Sequence, residues 1–149
     1  VNPVQPTHQL YGTSSQALSR MYHYIMQPTG RRFAIVYALD GYDEISLTGK
    51  FKVQTNEGER VLEPQDLGKP QLQQSDLHGG GTPEKAAEIF WNVLKNEATP
   101  AQKAVVTANA GMAIHTFKPE VSLQDCMLEA EASIESGRAL SNFKRILNV

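Results

Sequence analysis

The sequence predicts an α/β fold, a mixed sheet with helices packed around it. Three observations carry that expectation. Residues Phe33 to Leu39 form a run that is apolar at every position, residues 51–62 alternate and then turn back, and the second half opens helices at Thr82, Thr99 and Ser122. A chain that passes from helix to strands to helices buries its apolar surface most simply by laying helices on a sheet.

Taken in order, Val1 to Gly12 holds two prolines and no clear periodicity, and reads as an extended connector. Thr13 or Ser14 then offers a side-chain oxygen to cap a first helix. Leu18, Met21, Tyr22 and Ile25 fall at helical spacing and are expected to face the core, and Pro28 with Gly30 ends the helix. The run from Phe33 to Leu39 suits a strand covered on both faces. Asp40-Gly41-Tyr42-Asp43 is a loop, and Glu44 to Thr48 reads as another short strand. Phe51, Val53 and Thr55 alternate with Lys50, Lys52 and Gln54. Asn56-Glu57-Gly58 turns that strand back into Arg60-Val61-Leu62 as a hairpin.

Lys69 to Gly81 is polar and glycine-rich, as expected of a surface loop. Thr82-Pro83 and Thr99-Pro100 each place a capping hydroxyl before a first-turn proline. The first helix should turn Ala86, Ile89, Phe90, Val93 and Leu94 inward, and the second Val105, Ala108, Met112 and Ile114. Ser122 with Asp125 resembles a capping box and opens a helix through Leu128, Ala132 and Ile134. Gly137 interrupts it, and a last amphipathic stretch carries Ala139, Leu140, Phe143, Ile146 and Leu147.

Composition narrows the function. The 149 residues suffice for one hydrophobic core, and 40% hydrophobic with 20% charged residues is ordinary for a globular chain. A net charge of −2 gives no electrostatic reason to expect nucleic acid or an anionic membrane as partner, and no apolar run approaches a membrane span. The opening Val1-Asn2-Pro3-Val4-Gln5-Pro6 is not a signal peptide and lacks an initiator Met, so the chain is expected to begin inside a longer protein. Cys126 is the only cysteine. An intrachain disulfide and a cysteine metal cluster are excluded, which suits a reducing cytoplasm.

Few residues stand out chemically. Asp43 and Glu44 are adjacent carboxylates just beyond the apolar strand, where sites in α/β sheets form. Hard oxygen ligands in such a loop suit Mg²⁺. Neighbours in a regular strand point to opposite faces, so both serve one ion only if the backbone there is irregular or one acts through water. A pair of solvated turn carboxylates is the alternative. Gly79-Gly80-Gly81 ahead of a helix offers N–H groups to an anion but matches no phosphate-loop pattern, and a flexible loop that lets the chain reach the helix is the preferred account. Lys50 and Lys52 sit near the carboxylates and suit either phosphate or a solvated strand edge. His23 and His115 read as helix residues and His8 and His78 as loop residues. No two have metal-ligand spacing, and no G-x-S-x-G is present.

The segment Asp40-Gly41-Tyr42-Asp43-Glu44-Ile45-Ser46-Leu47-Thr48-Gly49 resembles the G-x-D-E-I/V-S-L-T stretch of anthranilate phosphoribosyltransferases. Further stretches agree in order. Asn2-Pro3 with Gln9-Leu10-Tyr11-Gly12 is similar to the family's N-P…Q-L-x-G, and Pro64 to Gly68 to its P-x-D-L-G. Gly80 to Glu84 resembles its G-G-x-P-E, Asn109 to Gly111 its N-A-G, and Ser136 to Leu140 its S-G-x-A-L. Two positions depart from the pattern. Tyr37 or Ala38 stands where a histidine is common, and Ala86 where an asparagine is.

The resemblance implies the following. Residues 1–149 are a single, truncated catalytic domain of the nucleoside phosphorylase and phosphoribosyltransferase type, without the N-terminal helical domain and the diphosphate loop. The intact enzyme transfers phosphoribose from phosphoribosyl pyrophosphate to anthranilate in tryptophan biosynthesis, in the cytoplasm, as a homodimer. Asp43 and Glu44 match the acidic pair that binds Mg²⁺. No residue of this chain is implied as catalytic, and the isolated chain is expected to be inactive. A pyrimidine nucleoside phosphorylase relative and a non-catalytic nucleic-acid-binding relative are the alternatives.

Overall fold

The computed structural model describes residues 4–147, so Asn2-Pro3 of the resemblance lies outside the described residues. The sheet has four strands in the order β1-β2-β3-β4. The strands are β1 (His8–Gly12), β2 (Arg32–Ala38), β3 (Phe51–Thr55) and β4 (Gly58–Leu62). β1 runs parallel to β2, with Gly12 opposite Val36, and β3 and β4 add antiparallel pairs. A parallel pair needs a crossover, and α1 (Gln16–Met26) supplies it. The remaining helices are α2 (Pro83–Leu94), α3 (Pro100–Phe117), α4 (Leu123–Glu135) and α5 (Arg138–Ile146).

β2 is the central strand because both its faces are covered. Ala34, Val36 and Ala38 join Phe51, Val53, Ile45, Leu47 and Leu67 in one core, closed by Ala108 and Met112 of α3 and Met127 of α4. Phe33 and Ile35 point the other way, to Met26 at the end of α1 and to Tyr11. The continuous apolar run in the sequence reflects this double coverage.

Several expectations are corrected. Residues His8 to Gly12, read as connector, are the edge strand β1, because the backbone of β2 offers them a ladder. His8 is therefore a strand residue. The first helix is capped by Ser15, whose Oγ accepts from Leu18 N at 3.2 Å. Thr13 is instead buried and donates from Oγ1 to the carbonyl of Val36 at 3.3 Å. α1 meets the sheet through Ser19 and Met26, leaving Leu18, Met21, Tyr22 and Ile25 exposed. Helical periodicity identifies a stripe but not which side of the helix the sheet takes. Here the buried hydroxyl of Ser19 donates to Gln54 Oε1 of β3 at 2.6 Å and fixes that choice.

Glu44 to Thr48 pairs with no strand and forms bends. In α2, Val93 is buried, whereas Ala86 and Phe90 are exposed. In α4 the buried residues are Cys126, Met127, Ala130 and Ile134, with Leu128 and Ala132 exposed. The loop from Lys69 to Gly81 contains a 3-10 turn at Gln74–Leu77, and its first residue is not at the surface: Lys69 is buried and paired with Glu131 of α4.

The caps of three later helices, α2, α3 and α4, are where the sequence placed them. Thr82, Thr99 and Ser122 accept from Lys85 N, Gln102 N and Asp125 N at 3.3, 3.2 and 3.1 Å. α3 owes its central place to Gly111, where a Cβ would come within 2.4 Å of Met127 Sδ, so the bare backbone lets α4 approach. Among the described residues no helix is long and apolar enough to cross a membrane.

Candidate functional site

The candidate site lies at the carboxyl end of β2, where Ala38 leaves the sheet. Gly41, with φ of 97°, closes a tight turn by donating its N–H to the Ala38 carbonyl at 3.1 Å. Ala38 N in turn donates to the Tyr42 carbonyl at 3.1 Å. The chain then runs past the end of β1, where a Cβ on Gly12 would lie 2.0 Å from the Asp43 carbonyl oxygen. Only glycine permits that approach.

Beyond Asp43 the segment has no strand neighbour, and side chains satisfy its backbone instead. Asn109 of α3 accepts from Ile45 N at Oδ1 (3.0 Å) and donates from Nδ2 to the Ile45 carbonyl (2.9 Å). Ile45, Ser46 and Leu47 are buried. Leu47 is held in the left-handed region, at φ of 61°, and its carbonyl accepts from Leu72 N at 2.8 Å. Gln71 Nε2 donates to the Thr48 carbonyl at 2.9 Å. Asp40 reaches across the turn to the hydroxyls of Ser46 and Thr48, which are themselves 2.8 Å apart. A polar cleft of about 250 Å³ opens beside Asp40, lined also by Tyr42, Thr48 and Gln71 to Gln74.

Asp43 and Glu44 are both exposed. No hydrogen bond or ion pair among the described residues engages either carboxylate. Their backbone is bent rather than laddered, so the opposite-face rule for strand neighbours does not apply to them. Lys52 is engaged in a close ion pair, whereas the largely exposed Lys50 makes only a long one. Lys52 Nζ pairs with Glu59 at 2.7 Å and Lys50 Nζ with Glu63 at 3.6 Å. The glycines at 79–81 lie in an irregular stretch in which Gly80 N donates to His78 Nδ1 at 2.9 Å. A larger cleft, of about 420 Å³, lies at the opposite end of β2, between Arg32, Arg60 and the end of α3 at His115 and Thr116. It holds neither of the two free carboxylates.

Residues 1–140 match the glycosyl transferase family, a/b domain. The chain belongs to that family. Among curated relatives it is 54% identical to the anthranilate phosphoribosyltransferase of Cytophaga hutchinsonii over 145 residues, which is 97% of this chain and 44% of that protein. It is 48% identical to the enzyme of the same name from Bacteroides thetaiotaomicron, over 100% of this chain and 45% of the relative. The chain thus spans less than half the length of the curated relatives it matches.

Solved structures agree on the fold. The anthranilate phosphoribosyltransferase of Thermus thermophilus superposes with a TM-score of 0.81 at 25% identity, over 90% of this chain and 40% of that one. The Saccharomyces cerevisiae enzyme in complex with PRPP and Mg gives 0.79 at 24% identity, over 89% and 38%.

Within the glycosyl transferase fold, the short motifs of the sequence become packing devices. Gly12 admits Asp43, and Asn109 and Gly111 hold Ile45 and seat α4. Gly68, at φ of 66°, ends the 3-10 turn Pro64–Leu67, and Gly137, at φ of 72°, joins α4 to α5. The residue pattern points to Asp43 and Glu44 as candidates and to neither Asp40 nor Asn109. Asp40 carries a local signal, hydroxyl residues six and eight positions on. Asn109 carries none, since its partner lies 64 residues away.

A Mg²⁺ ion takes oxygen ligands and commonly completes its shell with water and substrate phosphate. Asp43 and Glu44 provide two free carboxylates of that type. Among the described residues, no group of three or more His, Cys, Asp or Glu side chains is arranged to hold a metal ion. Two carboxylates are of a chemistry that Mg²⁺ accepts, and alone they do not form a closed protein site.

Proposed function

We propose that this chain is the C-terminal portion of the catalytic domain of an anthranilate phosphoribosyltransferase. In this reading residues 1–149 form one truncated α/β domain. The intact enzyme, a cytoplasmic homodimer of tryptophan biosynthesis, transfers phosphoribose from phosphoribosyl pyrophosphate to anthranilate. The chain's contribution is the acidic pair, Asp43 and Glu44, which would hold Mg²⁺. One observation carries the assignment. In a chain 54% identical to an enzyme of that name, the two carboxylates stand exposed and unengaged on an irregular, tethered segment at the carboxyl end of the central strand.

The chemistry requires charge stabilisation. The ribose gains positive character at its anomeric carbon while negative charge builds on the departing pyrophosphate. Mg²⁺, when bound, neutralises that leaving group. Asp43 and Glu44 supply the anionic oxygens that keep the cation in place. Asp43, nearer the turn, is assigned direct contact, and Glu44 acts directly or through water. Gly12 and Asn109 hold the backbone on either side of the pair. No residue here is assigned to activate the amine of anthranilate or to cradle the diphosphate. The 149 residues alone are accordingly proposed to be inactive, because proximity, which contributes about 7–11 kcal/mol, requires both substrates to be held together.

The test uses the complete enzyme. Asp43→Asn and Glu44→Gln keep size and remove charge. Each should leave the melting temperature unchanged, lower turnover, and raise the Mg²⁺ concentration that gives half-maximal rate. A double variant with wild-type rate and unchanged Mg²⁺ dependence would end the assignment. Phosphorolysis of a pyrimidine nucleoside by the complete enzyme, with no transfer to anthranilate, would favour the phosphorylase reading.

A further inference from the structure

We infer that Asn109 and Asp40 are positioning residues that clasp the segment on the far side of the acidic pair and so set the direction in which Asp43 and Glu44 project. The inference rests on the metal role proposed for that pair and adds what the backbone contacts of Asn109 and the side-chain contacts of Asp40 do for it.

The segment from Asp43 to Thr48 is unusual in being fixed without a ladder. A strand neighbour would hold each alternate residue by a paired N–H and C=O. Here one side chain does that work for Ile45, immediately after Glu44. The Asn109 amide accepts the Ile45 N–H at 3.0 Å and donates to the Ile45 carbonyl at 2.9 Å, reproducing a ladder pair with a side chain. A third bond fixes the amide's own orientation, since Nδ2 also donates to the Val105 carbonyl at 3.0 Å. With the amide reversed, its NH₂ would face an N–H and its oxygen would face two carbonyls. The arrangement has one satisfied orientation.

The clasp is anchored in a helix packed against the core. Asn109 lies in the middle of α3, an 18-residue helix, beside Ala108, which is fully buried, and two residues before Gly111, which seats α4. Asp40 adds a second tie on the same side. Its carboxylate takes the hydroxyls of Ser46 and Thr48, so the chain is tied again just after Ile45. Between Gly12, which the Asp43 carbonyl overlies, and these two clasps, little freedom remains to the backbone that carries the acidic pair. Both clasps are directed at backbone or hydroxyl groups, and neither carboxylate of the pair is used. That leaves the pair free for an external cation.

The residue type at 109 is specific. Aspartate would accept from Ile45 N but would face two carbonyl oxygens without a proton to give them. Alanine would leave the buried N–H and C=O of Ile45 unpaired.

The experiment compares Asn109→Asp, Asp40→Ala, Asp43→Asn and the double variant Asn109→Asp with Asp43→Asn, each in the complete enzyme. Melting temperature, Mg²⁺ dependence of the rate, and Mn²⁺ binding by electron paramagnetic resonance with inorganic pyrophosphate present are measured. Folded Asn109→Asp and Asp40→Ala should each raise the half-saturating Mg²⁺ and weaken Mn²⁺ binding by five-fold or more. Much of the rate should return at saturating Mg²⁺. The double variant should raise the Mg²⁺ requirement by less than the product of the two single effects, because the Asp43 ligand can be lost only once and only the misdirection of Glu44 remains to add.

The two readings fail separately. An unchanged Mg²⁺ requirement in Asp43→Asn would remove the metal role itself. A raised requirement in Asp43→Asn with a wild-type one in folded Asn109→Asp would overturn the positioning role alone. Should Asn109→Asp not fold, Asp40→Ala decides, since Asp40 is exposed, and a wild-type Mg²⁺ requirement and Mn²⁺ affinity there would overturn the inference.

Discussion

Gly12 and Asp43 meet backbone to backbone: a Cβ on Gly12 would lie 2.0 Å from the carbonyl oxygen of Asp43 and 3.1 Å from its carbonyl carbon. The end of the edge strand thereby serves as a stop for the segment that carries the acidic pair. Gly12→Ala should displace one or the other, at a cost of about 1–3 kcal/mol, the usual penalty for forcing an extra carbon into a filled space. Urea unfolding measures the loss. A midpoint equal to wild type would mean that the contact is loose.

Gly111→Ala should be similarly costly for a different reason. Its Cβ would meet Met127 Sδ at 2.4 Å and Met127 Cα at 3.0 Å. The sulfur can move aside, but the backbone of α4 moves only with its helix. The expected destabilisation is about 1–3 kcal/mol. In a double-mutant cycle with Met127→Ala, itself costly because Met127 closes the core, only part of that loss should appear as coupling, and coupling equal to the whole loss would place the clash entirely in the Met127 side chain.

The buried pair of Lys69 and Glu131 should respond asymmetrically. The Lys69 side chain is 7% exposed and that of Glu131 31%. Glu131→Gln leaves an ammonium buried without its counter-charge, whereas Lys69→Met leaves a carboxylate that water reaches. Removing one partner of a buried charged pair costs about 3–5 kcal/mol at full burial, and partial exposure of Glu131 reduces that figure here. Thermal melts should rank Glu131→Gln as less stable than Lys69→Met. The reverse order would contradict the burial argument.

Acid should weaken the hairpin edge. Glu59 is held below the ordinary carboxylate range, first by the hydrogen bond from Lys52, against a smaller opposing effect of desolvation. A carboxyl whose value is lowered on folding contributes stability above its unfolded value and loses it as pH falls through the folded one. The contribution should therefore be present at neutral pH and decline below the normal glutamate range. Glu59→Gln should flatten that part of the stability profile. An unaltered acid limb in Glu59→Gln would assign the titration elsewhere.

Cys126 should resist thiol reagents until the chain unfolds. It is fully buried in α4, and desolvation, aided by nearby Glu129, pushes the thiol above its usual value. The thiolate is the reactive form, so both access and ionisation oppose attack. Labelling at neutral pH should follow the urea unfolding curve. Rapid labelling of the folded chain would show that α4 opens locally.

Much of this protein was legible in its residues because the signals are local. The apolar run at Phe33 specified the doubly covered strand, the alternation from Phe51 to Leu62 specified the hairpin, and Thr82, Thr99 and Ser122 specified three helix starts. Each depends on groups within a few positions of one another, where backbone geometry leaves little choice. That Asp43 and Glu44 are adjacent carboxylates following a strand is legible for the same reason, while their role in metal binding stands as a proposal.

What tertiary structure alone decided was long-range. Whether His8 to Gly12 is connector or strand depends on β2 lying alongside it. Which face of α1 is buried depends on Ser19 meeting Gln54, 35 residues on. That Glu44 to Thr48 is not a strand depends on Asn109, 64 residues from Ile45, taking the hydrogen bonds a neighbouring strand would have taken. A lone backbone N–H must find a partner, and the sequence near it does not say which distant group will arrive.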